Sequence, residues 1–131
     1  MPLTIAVIAH DEQKPALVDW VVRHADALRG HHLIGTATTG SRVKAALPDF
    51  DLALVKSGPL GGDQQIGAKI ADGEIDLLVF FSDPLTAMPH DPDVKALLRL
   101  ALVYDVPCAF NPATADLIVA SGFLGRGRTP I

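Results

Sequence analysis

The chain has 131 residues, of which 49% are apolar and 20% charged, and its 15 acidic and 11 basic side chains give a formal net charge of −4. This length is typical of one domain, which can bury an adequate core without a disulfide or a structural metal. The net negative charge, with no clustered basic stripe, argues against a nucleic-acid partner. No apolar run reaches the roughly 18 residues that span a membrane, so no membrane contact is expected.

Cysteine usage and the start of the chain indicate a cytoplasmic protein. Cys108 is the sole cysteine and has no partner within the chain, which fits a reducing compartment. The first nine residues carry neither a basic segment nor a signal-peptide cleavage pattern.

Five short apolar runs rich in β-branched residues predict strands. They lie at residues 3–9, 32–36, 52–55, 76–81 and 107–110. Their nearly continuous apolar character is typical of parallel strands that are buried on both faces.

The segments between these runs carry helical patterns. Apolar residues recur at helical spacing, first at positions 17, 18, 21, 22, 25 and 28 and later at 94, 97, 98, 101 and 102. Asp91 and Asn111 each precede a proline, as N-cap residues do, whereas Gly30, Gly73 and Gly122 stand where helices should end.

The alternation of strands and helices predicts an α/β fold. We expect a single-domain, doubly wound, Rossmann-like parallel sheet of five strands flanked by helices. The domain is expected to cover residues 1–124, and residues 125–131 (GRGRTPI) are expected to form a flexible tail.

Polar residues follow the strands and are sparse at the opposite connections. Ligands of an open parallel sheet bind beyond the carboxyl ends of its strands. The segments that come there are 10–14, 36–41, 57–65, 82–84, 88–93 and 111–114, whereas 72–74 and 104–106 on the other side are chemically plain. One site at one edge of the sheet is therefore predicted.

Three of these segments suit an anion such as phosphate. Residues 36–41 (TATTGS) supply hydroxyl and N–H groups at a predicted helix start, and Lys14 supplies a cation. Ser57–Gly58 and Gly61–Gly62 supply flexible backbone that could approach a ligand closely. Each alone has a structural interpretation as a helix cap, a turn or a solvated lysine. The sequence lacks the G-x-G-x-x-G and Walker A patterns, which argues against a dinucleotide or a nucleoside triphosphate.

Carboxylates and imidazoles in the same segments are the candidates for acid–base chemistry. Most could instead be helix caps or, for His10, a structural histidine at a strand end. A metal site built from the two histidines is disfavoured, because no metal-ligand spacing is present. His31 and His32 are expected at the far edge of the sheet, and Cys108 in the core. The candidates are His10, Asp11, Asp63, Asp83, His90, Asp91 and Asp93.

The motifs resemble those of bacterial methylglyoxal synthases over nearly the whole chain. The most specific are SGPLGGDQQ at 57–65 and PHDPD at 89–93, and HDEQK at 10–14, TATTG at 36–40, DPLTA at 83–87 and Asn111 with Thr114–Ala115 also match. The resemblance implies a five-stranded α/β enzyme that converts dihydroxyacetone phosphate to methylglyoxal and inorganic phosphate. It further implies no metal or organic cofactor, and a homohexamer inhibited by phosphate.

The resemblance also implies roles for individual residues. Asp63 would take a carbon-bound proton to give an enediolate, from which phosphate leaves. His90 would polarise the carbonyl group and move protons between oxygens. His10, Asp11, Asp83 and Asp93 would orient the hydroxyketone and balance charge, and the phosphate would be held by Lys14, Thr36, Thr38, Thr39, Ser57 and Gly58.

The chain departs from the family pattern at two places. Ala37 stands where the family often has glycine, so the backbone there must avoid positive φ or accept strain. The carboxyl-terminal segment is short, so a subunit-bridging arginine of longer relatives has no clear counterpart, with Arg126 and Arg128 as the available substitutes.

Two other functions compete with the lyase. Domains of this type also serve as non-catalytic phosphate-ligand sensors in larger enzymes such as carbamoyl phosphate synthetase. Such a domain would be free to lose its base and its histidine, whereas this chain retains Asp63, His90 and Asp93. A hydride-transferring Rossmann enzyme is disfavoured by the missing glycine fingerprint.

Overall fold

Five parallel strands form one sheet in the order β3-β2-β1-β4-β5. The computed structural model describes residues 2–85 and 91–127, with the side chains of 91–93 left undescribed. All four neighbouring pairs are parallel, which confirms the predicted doubly wound α/β class. The strands are β1 Thr4–Ala9, β2 His32–Thr36, β3 Leu52–Val55, β4 Leu77–Phe81 and β5 Cys108–Ala109.

The helices follow the strands in alternation. They are α1 Lys14–Arg23, α2 Ala25–Leu28, α3 Ala37–Ala46, α4 Gly62–Ala71, α5 Asp91–Val103, α6 Pro112–Ala120 and α7 Phe123–Arg126, with short 3₁₀ turns at Asp11–Gln13 and Gly58–Leu60. The α7 helix therefore reaches into the segment that was expected to be a tail.

The predicted helix caps are confirmed at the positions that the structure describes fully. The side chain of Asn111 accepts a hydrogen bond from Thr114 N at 2.8 Å, and Pro112 opens α6. Gly30, Gly73 and Gly122 have φ values of +92°, +76° and +81°, a left-handed conformation that suits glycine after a helix. The α5 helix begins at Asp91 itself, so Asp91 is its first residue and the prediction of an N-cap at this position was wrong.

The sheet separates two hydrophobic layers. Alternate residues of β1 point to opposite faces, so that Val7 packs with Leu17 and Trp20 of α1, whereas Ile8 packs with residues of α4 and α5. Val43 of α3 and Ala115 of α6 belong to the first layer, and Ile66 of α4 and Leu97 of α5 to the second.

Some residues of the predicted apolar patterns are exposed rather than buried. Val22 is 48% exposed and Leu102 72% exposed, because a helix on a sheet buries only one stripe of its surface. The pattern expected to run from 17 to 28 is also divided at His24, between α1 and α2. Leu54 is 51% exposed because β3 is an edge strand, not a strand buried on both faces.

Cys108 is half-buried against the second layer rather than fully enclosed in the core. Its Sγ donates to Val106 O at 3.3 Å, and burial raises the pKa of the thiol. Within the described ranges, no helix combines the length and the apolar character needed to cross a membrane.

The amino-terminal edge of the sheet carries two histidines, as expected. His32 pairs with Asp51 on the exposed surface. The neighbouring His31 accepts a hydrogen bond from Leu3 N at its Nδ1 atom, at 2.9 Å. Burial lowers the pKa of His31 below its usual value of 6.5, so the neutral ring is the form that the fold favours.

The lowered pKa of His31 predicts a stability change below neutral pH. Unfolding restores the usual pKa, so protonation favours the unfolded chain, and stability is lost as the pH falls from about 6.5 through the folded-state pKa. In His31→Asn, the amide oxygen still accepts from Leu3 N but does not titrate. Urea unfolding from about pH 8 to about pH 5 should therefore show the wild type losing stability relative to His31→Asn. Parallel pH curves for the two proteins would contradict the assignment.

Candidate active site

The reversal of strand order lies between β1 and β4, and two predicted site residues meet there. After β1 the chain passes to α1 on one face, and after β4 it passes to α5 on the other, which opens a crevice beyond the two strands. His10 follows β1 and Asp83 follows β4. Asp83 N donates to His10 Nδ1 at 3.0 Å, and His10 N donates to Phe81 O at 3.1 Å.

Lys14 is a buried cation beside this crevice. It is only 5% exposed, and its Nζ donates to Ala9 O at 3.1 Å and to Asp11 Oδ1 at 2.6 Å. Asp11 is 93% exposed at its side chain, and its hydrogen bond to Lys14 lowers the pKa of its carboxyl group. An ammonium has three donors, so these two acceptors within the described residues leave one N–H for an anion.

The first turn of α3 presents main-chain donors next to Lys14. Thr36 occupies the N-cap position with an extended backbone, and its side chain makes no capping hydrogen bond. Thr38 is exposed, whereas Thr39 is buried and its Oγ1 lies 3.3 Å from both N and O of Ala9. The hydroxyl of Thr39 thus ties α3 to β1, and the N–H groups of the first helical turn are the donors suited to phosphate.

Ala37 is accommodated without strain. It opens α3 in helical conformation, and among the described non-glycine residues only Asp105 has a positive φ. The glycine that relatives often carry here is therefore not required by the backbone of this chain.

The loop between β3 and α4 brings Ser57 and Gly58 next to Asp63. Both loop residues are half-buried, and Asp63 is only 6% exposed. A Cβ atom placed on Gly58 would lie 3.5 Å from Oδ1 of Asp63, so the carboxylate faces the backbone of Gly58. Asp63 lies inside the first turn of α4 and the N-cap position is Gly61, which disfavours the simple capping interpretation.

Gly62, which the sequence suggested for approach to a ligand, and Gln65 of the same motif fix the shape of this loop. A Cβ on Gly62 would lie 1.8 Å from Lys56 O, so glycine is needed here for close packing rather than for approach to a ligand. Gln65 accepts a hydrogen bond from Lys56 N at 2.8 Å through its side-chain oxygen. Gly62 and Gln65 are visible in the sequence motif, but only the folded structure shows that both contact the main chain of Lys56.

A shallow groove of about 240 Å³ extends from Asp63 between α4 and α5. Its walls are mostly apolar, formed by residues such as Gly67, Ala68, Leu97 and Leu100. Asp63 therefore lies at the end of a mostly apolar groove, with its side chain almost fully buried.

The remaining predicted site residues are placed only in part. His90 lies outside the described residues, and the side chain of Asp93, in α5, is also outside them. Asp83 is 8% exposed, and its Oδ1 accepts from Leu85 N at 3.0 Å. Within the described ranges, no three His, Cys, Asp or Glu side chains form a group that could hold a metal.

The described geometry provides two chemical elements at one sheet edge. Lys14, the start of α3 and the Ser57–Gly58 backbone supply groups that suit an anion, and Asp63 supplies a buried carboxylate. A clamped phosphate and an adjacent carboxylate are what the loss of a carbon-bound proton followed by phosphate departure requires.

Comparison with known proteins connects this geometry to one group of enzymes. A family model described as MGS-like domain matches residues 16–110. A methylglyoxal synthase of Rhizobium rhizogenes is 57% identical over 115 residues, covering 88% of this chain and 91% of the relative. Another from Pseudoalteromonas atlantica is 52% identical over 127 residues, covering 97% and 93%.

A solved structure agrees with these sequence matches. The crystal structure of methylglyoxal synthase from Elizabethkingia anophelis superposes with a TM-score of 0.90 at 47% identity. The match covers 99% of this chain and 86% of that one.

The packing of Gly62 against Lys56 predicts a large effect of one methyl group. Gly62→Ala should lower the free energy of unfolding by about 1–3 kcal/mol or more, because the backbone of the loop must move to admit the Cβ. Gly125→Ala is the matched control, since a Cβ at that position meets nothing within 4 Å. Urea unfolding measures both variants, and a Gly62→Ala protein as stable as Gly125→Ala would contradict the packing argument.

Proposed function

The chain belongs to the methylglyoxal synthase family, and we propose on that premise that it converts dihydroxyacetone phosphate to methylglyoxal and inorganic phosphate. The observation that carries this function is the identity of 52–57% to methylglyoxal synthases over nearly the whole chain. The same matches favour the enzyme over a phosphate-sensing regulatory domain of similar fold. The chain is a carbon–oxygen lyase.

The reaction proceeds in two bond-breaking steps. A base removes a proton from the hydroxymethyl carbon of the substrate, and the electron pair forms an enediolate. That electron pair then expels phosphate as the carbon–oxygen bond breaks, and the remaining enol takes up a proton on carbon to become methylglyoxal. The enzyme must therefore hold the phosphate so that the carbon–oxygen bond that breaks is aligned with the π orbitals of the enediolate.

Asp63 is the proposed base. Its burial and its position against Gly58 support this role, because a carboxylate removes a carbon-bound proton effectively only when it is close to the carbon and shielded from water. His90 is proposed to polarise the carbonyl group and to transfer protons between oxygens, and Asp93 to balance its charge.

The phosphate group is proposed to lie between α1, α3 and the β3–α4 loop. The partners proposed are Lys14, Thr36, Thr38, Thr39, Ser57 and Gly58. The buried ammonium of Lys14 and the start of α3 support this placement, since both concentrate positive potential on one small volume. His10, Asp11 and Asp83 are proposed to orient the hydroxyketone end.

The compartment, cofactor requirement, oligomeric state and inhibition of the enzyme are also proposals. We expect it to work in the cytoplasm, without a metal or an organic cofactor, and as a homohexamer inhibited by inorganic phosphate. Exposed apolar side chains at the end of α5, including Leu102 at 72% and Val103 at 63%, support self-association, which would remove them from water. The native mass in solution tests the hexamer, and cell fractionation tests the compartment.

A direct product assay tests the lyase function. Purified protein should release methylglyoxal and phosphate from dihydroxyacetone phosphate without added metal. Asp63→Asn should lower kcat by roughly 10²-fold or more, because the amide cannot take the proton. Asp72→Asn, an exposed substitution at the other end of α4, should leave kcat unchanged.

The wild-type assay and the Asp63→Asn variant test different claims. Folded wild-type protein that yields neither product would overturn the lyase function. An Asp63→Asn variant with near-wild-type turnover would instead leave the function standing and remove Asp63 from the role of base.

The phosphate site is tested by removing one charge. Lys14→Met keeps the aliphatic stem but removes the ammonium, so KM for the substrate and the inhibition constant of inorganic phosphate should both rise by about 10- to 100-fold. Lys69→Met, in the last turn of α4, is the control. If Lys14→Met changes neither constant, Lys14 has no place in the phosphate site.

A further inference from the structure

The imidazole ring of His10 contacts both β4 and the segment that follows it. Its Nδ1 lies 3.0 Å from Asp83 N, and its ring packs edge-on against Phe80 with centroids 5.2 Å apart at 80°. The strand register places Ala9 opposite Phe81, so His10 lies across the crevice from the first residues beyond β4.

The hydrogen bond from Asp83 determines which nitrogen of His10 carries the proton. A main-chain N–H is only a donor, so Nδ1 must present its lone pair to it. A neutral imidazole carries one N–H, which then lies on Nε2. An imidazolium, or the other neutral tautomer, would place two hydrogens against each other.

A turn keeps the amide of Asp83 in place. Oδ1 of Asp83 accepts from Leu85 N at 3.0 Å, a hydrogen bond that an aspartate commonly makes two residues along the chain in a turn. Asp83 itself is only 8% exposed, whereas Leu85 at the end of the turn is exposed. The carboxylate of Asp83 thus fixes the segment whose main chain fixes His10.

From these contacts we propose that His10 serves as a neutral hydrogen-bond donor through Nε2–H, with its tautomer fixed by the main chain of Asp83. The inference rests on the proposed function, in which His10 orients the hydroxyketone. Negative charge develops on the substrate oxygens as the enediolate forms, and a donor that is already oriented stabilises that charge. His10 then does not act as a base, and Asp83 acts on it as a positioning residue.

The tautomer can be measured without any turnover. In ¹⁵N-labelled protein near neutral pH, the long-range ¹H–¹⁵N spectrum should show His10 with Nδ1 unprotonated and Nε2 protonated, and His10→Asn identifies its signals. Asp83→Asn keeps an acceptor for Leu85 N and should preserve this pattern. An imidazolium, or a proton on Nδ1, would overturn the proposal.

A pair of substitutions tests the donor role in catalysis. In His10→Asn the side-chain oxygen can still accept from Asp83 N, but nothing replaces Nε2–H. In His10→Gln the longer side chain can carry an amide donor to the position of Nε2. We expect kcat to fall by roughly 10²- to 10³-fold in His10→Asn and clearly less in His10→Gln.

A purely structural role for His10 predicts the reverse order, because Asn keeps the bond to Asp83 and Gln does not. Equal or reversed kcat losses would therefore contradict the donor role, with urea unfolding as the check on stability. Failure of the product assay would leave the NMR result intact, so the tautomer and the lyase function are tested independently.

Discussion

The main chain of Ala9, at the end of β1, joins the parts of the candidate site. The hydroxyl of Thr39 lies 3.3 Å from both its N and its O, and the ammonium of Lys14 donates to the same carbonyl. Its register partner is Phe81 on β4. The β1–β2 ladder ends at Val7 and Gly35, so the amide of Ala9 needs another partner, because a buried polar group without one is costly. The hydroxyl that satisfies this need also ties α3, with its anion-suited first turn, to the strand that carries His10.

The part of the site that suits phosphate supplies a buried cation and main-chain donors, although the chain as a whole is negative. The net charge of −4 weighs against a large polyanion, yet the described geometry suits a small one. At short range, one buried ammonium and a helix start outweigh a diffuse surface charge that water and salt screen. Of the 13 aspartates, Asp63 and Asp83 are buried at the carboxyl edge of the sheet, whereas Asp49 and Asp51 lie on the exposed surface far from it, where they contact Arg29 and His32.

Much of the fold could be predicted because its signals are local. The strand at 32–36 and the cap at Asn111 depend on residues a few positions apart, whose spacing is set by the geometry of one element. The exposure of Val22 and Leu54 could not be predicted in this way. It depends on how wide a stripe of α1 the sheet covers and on β3 being an edge strand, and neither is encoded in one segment.

By itself, the sequence determined the order of the elements, their caps and the set of polar residues that follow the strands, since each is a property of short segments. Only the tertiary structure decided how those residues act on one another. The bond between Asp83 and His10 joins residues 73 positions apart, and Gly62 is needed because Lys56 O lies against it. Such contacts arise from strand order and register, which bring distant segments within hydrogen-bond distance, and no local pattern specifies them.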